Sequence, residues 1–285
     1  MVSIDFLVPG FSKCGTTTLC ALLSQHPELY IPAEKETWYF SSDEFPSGAQ
    51  EYARYFSRAV EGQLLGEGSV SYSGYRKEDI SIERIGENNP DCRFIFIARN
   101  PISRIESSYR EMHHSGVKFG LNAPYGLSEC IDAFPAMVKD SCYFQRISRY
   151  VDAFGSGAIL VLFLDDLYKQ PQLELSRCFR HLGVDDAFQV EENVKLNEGS
   201  YKLYDTRLLR YFRNHPWFGP RLAKLAPAAQ DRILKPSGLR RRFRKPVQWD
   251  ERSKAVIREI VLPDTQVFLE AYGKSGDFWN TDFKN

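Results

Sequence analysis

Residues 8–19 read "VPGFSKCGTTTL" and continue the apolar run "IDFLV" of residues 4–8. A strand that ends in glycine and turns into a helix leaves backbone N–H groups and the positive end of a helix dipole aimed at one spot, which is an anion site. Gly10 and Gly15 permit the tight turn, Thr16, Thr17 and Thr18 add hydroxyl donors, and Lys13 adds a mobile charge. Ser12 and Cys14 complete the loop, with Cys14 read as a small residue whose thiol pKa a helix N-terminus would lower. The nucleoside-triphosphatase loop G-x-x-x-x-G-K-[ST] sets lysine directly before the hydroxyl residue. Here Lys13 precedes the second glycine, and no lysine separates Gly15 from Thr16. The competing reading is an ordinary strand–turn–helix with Thr16 as N-cap.

Outward from this loop, strand-like and helix-like segments alternate. Apolar runs at residues 4–8, near Gln63, at 93–98 ("RFIFIA") and at 158–164 ("AILVLFL") read as buried strands. Helical patterns fall at residues 16–24, 103–111, 143–154 and 171–182. The alternation predicts an α/β fold, a three-layer sandwich around a central parallel sheet of the phosphate-loop nucleotide-binding type. Residues 1–285 read as one domain, with the Pro- and Arg-rich part from about 205 as a helical or irregular extension. Residues 250–273 read as one helix broken or kinked at Pro263.

Lys+Arg and Asp+Glu balance at 37 each, so no global charge favours nucleic acid and any anion site is local. There is no basic leader and no run of about 18 apolar residues, so no membrane span is expected. Cysteines 14, 20, 92, 130, 142 and 178 show no C-x-x-C pairing. They read as reduced thiols in a cytoplasmic protein, with one or two disulfides as the alternative should the chain be a fragment. No His/Cys/Asp cluster has metal-ligand spacing, and no metal is expected.

A second strand-to-helix stretch, "FIFIARNPISRIESSYRE", spans residues 94–111. Pro101 suits a first helical turn, and Ser107 lies one turn beyond Ser103. Arg99 from the strand tip and Ser107 from the helix would converge on one phosphate, the guanidinium giving charge-assisted bonds. Arg104 and Arg110 read equally well as surface arginines.

Together the two stretches resemble the sulfotransferases that use 3′-phosphoadenosine 5′-phosphosulfate (PAPS). That family carries K-x-G-T-[ST] on the 5′-phosphosulfate and R-x-P-x-x-R-x-x-S-x-Y on the 3′-phosphate. This chain has Lys13-Cys14-Gly15-Thr16-Thr17 and Arg99-Asn100-Pro101…Arg104…Ser107…Tyr109, about 85 residues apart. "PAEKETWYF" (residues 32–40) is similar to the K-E-x-x-[FY]-F segment of the glycan-sulfating, heparan-sulfate-type branch. "GEGSVSY" (residues 66–72) is similar to its E-x-[ST]-P-x-Y segment, with Val70 in place of proline. "NEGSYK" (residues 197–202) resembles a late loop that closes over the nucleotide, and there Gly199, Ser200 and Tyr201 become donor-binding candidates.

The resemblance implies sulfuryl transfer from PAPS to an acceptor hydroxyl, with adenosine 3′,5′-bisphosphate as product. It makes Lys13 the residue that neutralises charge on the leaving phosphate. It makes Glu36 the general base and Lys35 its orienting neighbour. His113 and His114 are alternative bases. Trp38 and Tyr72, with Tyr39, Phe40 and Tyr75, would wall the acceptor, although Phe40 reads more readily as core. "LRRRFRK" (residues 239–245) is either a solvated run or a strip for an anionic acceptor such as an acidic glycan or a phospholipid headgroup. The acceptor is expected to be a carbohydrate, with a small metabolite, lipid or carrier-tethered hydroxyl as the alternative. A phosphate-loop kinase is disfavoured by the missing G-K-[ST] and Walker-type aspartate. An inactive nucleotide-binding module is disfavoured by Lys13 and Glu36.

Overall fold

Five short strands pair in parallel in the order β2-β3-β1-β4-β5 in a computed structural model that describes residues 2–191, 202–243 and 245–283. They are β1 Phe6–Gly10, β2 Leu29–Tyr30, β3 Leu64–Glu67, β4 Arg93–Ala98 and β5 Ile159–Phe163. The helices are α1 Thr16–Leu23, α2 Ala49–Tyr55, α3 Glu78–Asn88, α4 Pro101–His114, α5 Leu127–Ala133, α6 Ala136–Lys139 and α7 Tyr143–Phe154. Then follow α8 Leu164–Lys169, α9 Pro171–Leu182, α10 Arg207–Asn214, α11 Gly219–Ala223, α12 Pro227–Leu234, α13 Glu251–Val256 and α14 Leu262–Ala271. Two further strands, β6 Leu203–Asp205 and β7 Arg240–Arg242, pair antiparallel.

By their contacts the residues fall into two units. The first holds Met1–Asn100, Cys142–Leu196 and Pro263–Trp279; the second holds Pro101–Ser141, Asn197–Leu262 and Asn280–Asn285. The second unit begins where α4 begins, and α4 packs there on β6 and α6.

The first unit is the three-layer α/β sandwich. All five residues of β1 are buried, as are residues 94–98 of β4. That double-sided burial explains their unbroken apolar sequence. Tyr150 of α7 meets Phe94 and Phe96 of β4 at 5.0 and 5.1 Å, and α3 shares that layer with α7. His26 after α1 packs 4.5 Å from Phe179 of α9 in the other helical layer. Each buried Phe is worth about 1.5–3 kcal/mol by area alone. The crossovers from β1 run first to one side of the sheet and then to the other. The β1/β4 junction is therefore a topological switch point, where the carboxyl ends of strands open a crevice.

The second unit is built around α4 and the β6–β7 pair. Asp205 faces Arg240 in the register and pairs with its Nε at 2.9 Å, and both side chains are fully buried. Asp205 also pairs with Arg213, and Arg240 with Asp231 and the His114 carbonyl. Arg104, for which a surface position read equally well, is buried and donates to Met137 O and Ser141 Oγ, both at 3.0 Å, tying α4 to α6. A π-helical turn, Ile257–Val261, separates α13 from α14. It stands where the kink at Pro263 was expected, the wider turn absorbing the proline's missing N–H.

Candidate active site

The carboxyl ends of β1, β2, β3 and β4 supply the site residues of the first unit. After β1 the loop passes through Lys13 at φ 67 and Gly15 at φ 95 into α1. Gly15, not Thr16, is the N-cap residue, and no side chain caps α1. Its first-turn N–H groups therefore keep no intrahelical acceptor. A Cβ on Gly15 would stand 2.6 Å from Leu164 Cδ1 in a left-handed conformation, so only glycine fits. Thr16 and Thr18 are buried against the core and Thr17 is exposed. Cys14 is buried beside the Tyr143 hydroxyl at 3.4 Å, and that hydroxyl donates to Arg99 O at 2.8 Å. One tyrosine of α7 thus ties the first loop to the end of β4. The residues present suit a phosphate-rich ligand: an uncapped helix start, a tight glycine cradle and lysines at its rim.

Lys35 decides the geometry of the opposite rim. Its Nζ donates to Gly68 O at 2.7 Å and to Glu36 Oε1 at 2.8 Å, and lies 3.5 Å from Thr16 Oγ1. The phosphate loop and the Glu36 carboxylate are therefore held on one ammonium. Gly68 makes room for this: a Cβ there would meet the Lys35 Cγ at 3.0 Å. Glu36 keeps partial exposure and accepts from Trp38 Nε1 at 3.3 Å. Trp38 is held left-handed at φ 55 with 55% of its surface exposed, so an aromatic face flanks the carboxylate.

Beneath this segment lies a residue that sequence reasoning passed over. Glu67, the last residue of β3, is 0% exposed. Its Oε1 accepts from Tyr72 OH at 2.6 Å, Thr37 Oγ1 at 2.8 Å and Tyr52 OH at 3.2 Å. Its Oε2 accepts from Ser69 Oγ at 2.5 Å, and Ser69 Oγ accepts from Trp38 N at 2.9 Å. Burial pushes the Glu67 carboxyl above the ordinary carboxylate range, and the hydroxyl donors offset part of that rise. The signal in the sequence was the glutamate of "GEGSVSY". Tyr72 of the same stretch is fully buried against Glu67, so it supports the site from below and is not a wall for the acceptor. Phe40 and Tyr39 are core residues too.

In the second unit, Ser107 of α4 is half-buried, with its Oγ 3.5 Å from Lys202 Nζ. Lys202, also unanticipated, is buried and pairs with Glu111 at 3.0 Å. His113 is corrected as a base candidate. Its Nδ1 accepts from Arg210 at 2.9 Å and its Nε2 donates to Pro124 O at 3.1 Å, which requires the neutral ring. Burial first and Arg210 second push its pKa down to about 4. His114 is also engaged, its Nδ1 accepting from Leu203 N at 3.1 Å, and burial lowers its pKa. Gly199, Ser200 and Tyr201 lie outside the described residues. No group of three metal-ligating side chains occurs among the described residues.

The family model described as "Sulfotransferase domain" matches residues 3–198. The chain belongs to the sulfotransferase family. Membrane-associated sulfotransferase kil1 of Dictyostelium discoideum is 32% identical over 108 residues, 37% of this chain and 22% of that protein. Heparan sulfate glucosamine 3-O-sulfotransferase 6 of Homo sapiens is 25% identical over 182 residues, 62% of this chain and 52% of that protein. The sulfotransferase chain thus spans about half or less of the length of these relatives. A sulfotransferase from Alicyclobacillus acidocaldarius shares the fold, with TM-score 0.58 and 22% identity over 82% of this chain and 97% of the other. The match ends before β6, so the β6–β7 hairpin of this sulfotransferase lies beyond it.

Proposed function

We propose that the chain transfers a sulfuryl group from PAPS to a carbohydrate hydroxyl, with Glu36 as general base. The observation that carries this reading is the Lys35 ammonium held on both Thr16 of the phosphate loop and the Glu36 carboxylate. PAPS, when bound, supplies the sulfuryl group and a bisphosphate leaving group. Lys13 and the uncapped start of α1 hold the phosphosulfate and offset negative charge on the leaving phosphate. Arg99, which makes no ion pair with the described residues, offers its guanidinium to an anionic group of the donor. Glu36 accepts the proton of the attacking hydroxyl, and Lys35 steadies the carboxylate as it gains the proton.

The exposed Trp38 face beside Glu36 supports a sugar as acceptor, since an aromatic ring covers the C–H face of a pyranose while Glu36 takes its hydroxyl. The relative named for heparan sulfate glucosamine supports the same acceptor class. A cytoplasmic location belongs to this reading and is supported by six cysteines that are all buried as thiols. Transfer of labelled sulfate from PAPS to a glycan panel tests it. Glu36→Gln should lower turnover about a hundredfold or more with adenosine 3′,5′-bisphosphate affinity nearly unchanged, whereas Lys13→Ala should weaken both. Near-normal turnover of Glu36→Gln would remove Glu36 as the base.

A further inference from the structure

The second unit contains a cavity of about 1100 Å³ along β6, β7 and the segment after β7. Four exposed cationic side chains line it: Lys235, Arg241, Arg242 and Lys245. None pairs with an acid of the described residues; Arg241 Nε donates only to the Gly238 carbonyl at 3.3 Å. Arg240 also lines the cavity, but its charge is consumed by Asp205 and Asp231. Asp250 is the sole acid of the lining, and it caps α13 by accepting from Ser253 N at 2.9 Å. Several uncompensated cations therefore face one concave space.

The walls between the cations are aromatic. Tyr204 and Phe243 approach at 5.0 Å, and Trp249 is buried with its Nε1 donating to Glu106 at 3.1 Å. Tyr109 of α4 contributes from behind. Tyr109 lies two residues beyond Ser107, about 200° around the helix, so the cavity and the Ser107 hydroxyl occupy different faces of α4. Cationic groups alone would suit any polyanion. Aromatic faces between them suit a ligand with alternating C–H surfaces and anionic substituents, and a cavity this large exceeds the space of a single small metabolite.

We propose that this cavity is a remote subsite for an acidic oligosaccharide, with Arg241, Arg242 and Lys245 pairing its carboxylates or sulfates and Tyr204 supporting a sugar face. Its role as an acceptor subsite rests on the sulfuryl-transfer reading; its binding step does not. The subsite holds a segment of an extended acceptor distant from the reacting hydroxyl, and so acts on the acceptor's KM rather than on kcat.

The test titrates the whole chain by calorimetry at low salt with octagalacturonate, which carries a carboxylate on every sugar, and with uncharged maltooctaose. Octagalacturonate should bind at least about tenfold more tightly than maltooctaose. Arg241→Ser with Arg242→Ser and Lys245→Ser should weaken it at least about tenfold and leave adenosine 3′,5′-bisphosphate affinity unchanged. Tyr204→Ala should weaken octagalacturonate while leaving binding of linear octaphosphate unmoved. Unchanged octagalacturonate affinity in the triple variant overturns the proposal. So does octaphosphate binding as tightly as the sugar, which reduces the cavity to a charge patch. Capture of phosphatidylserine vesicles without octagalacturonate binding also overturns it, in favour of a membrane surface. Failure of the unmodified chain to bind adenosine 3′,5′-bisphosphate would sink the sulfuryl-transfer reading, and the sugar titration would still decide the cavity.

Discussion

Two buried carboxylates, one in each unit, are held in opposite ways. In the first, one carboxylate, Glu67, is buried among hydroxyl donors with no cation in its hydrogen-bond shell. In the second, Asp205 is buried between Arg213 and Arg240. A carboxylate held by hydroxyls can shift its proton and its partners by small steps, and the segment it holds carries the proposed base. A carboxylate held by two guanidiniums is locked, because removing it takes the shared anion from the half-buried Arg213 and the buried Arg240. The first arrangement suits a site that must position chemistry; the second suits a scaffold made from short strands and little apolar surface.

Breaking the scaffold should give the largest effect. Asp205→Ala leaves Arg240 and Arg213 without their shared anion, and should cost about 3–5 kcal/mol in denaturant unfolding. A loss under about 1 kcal/mol would mean that the guanidiniums find water and that the contrast between Asp205 and Glu67 is false.

Acid should separate the units next. The folded pKa of His113 lies below its unfolded value, so its environment favours folding fully above about pH 6.5, and that contribution is lost as pH falls toward about 4. The loss should reach up to about 3 kcal/mol by pH 4, and His113→Gln should flatten that part of the profile. Glu67 has the opposite sign: its raised pKa makes its contribution greatest in acid and smaller as pH rises through the folded value. A profile for His113→Gln that follows the unmodified chain would remove His113 from this account.

Glu67→Gln sharpens the contrast with the smallest change. An amide nitrogen in place of Oε2 would face the Ser69 hydroxyl donor, at a cost of about 1–3 kcal/mol. Because Thr37 and Trp38 hang from Glu67 and Ser69, turnover should fall while bisphosphate affinity holds. Equal loss of both would make Glu67 a fold residue alone.

What could be read from the sequence follows the same divide. β4, α7 and α9 stand where apolar period and Pro101 or Pro171 set them, since a strand buried on both faces announces itself as "RFIFIA". Lys13, Gly15, Lys35 and Glu36 were legible as spaced motifs, because loops at strand ends carry chemistry in short contiguous runs. Glu67 was not, because a glutamate between glycines reads as solvated until three tyrosine and threonine hydroxyls close on it. β7 was hidden for a related reason: "LRRRFRK" looks like surface, and only pairing with β6, 35 residues earlier, buries Arg240 on Asp205. His113 read as a candidate base because burial by Arg210 and Pro124 leaves no trace in its neighbours along the chain. Tyr72 read as an acceptor wall because its direction depends on how β3 ends.

On the proposed function, the loop after β1 holds a 3′-phosphoadenosine donor rather than a nucleoside triphosphate. Calorimetric titration of the chain with adenosine 3′,5′-bisphosphate in the presence of a chelator, beside ATP with Mg²⁺, tests this most directly. The bisphosphate should bind without metal, at least about tenfold more weakly after Arg99→Ala, and ATP should bind more weakly than the bisphosphate. ATP with Mg²⁺ binding as tightly as the bisphosphate, or bisphosphate binding indifferent to Arg99→Ala, would contradict it.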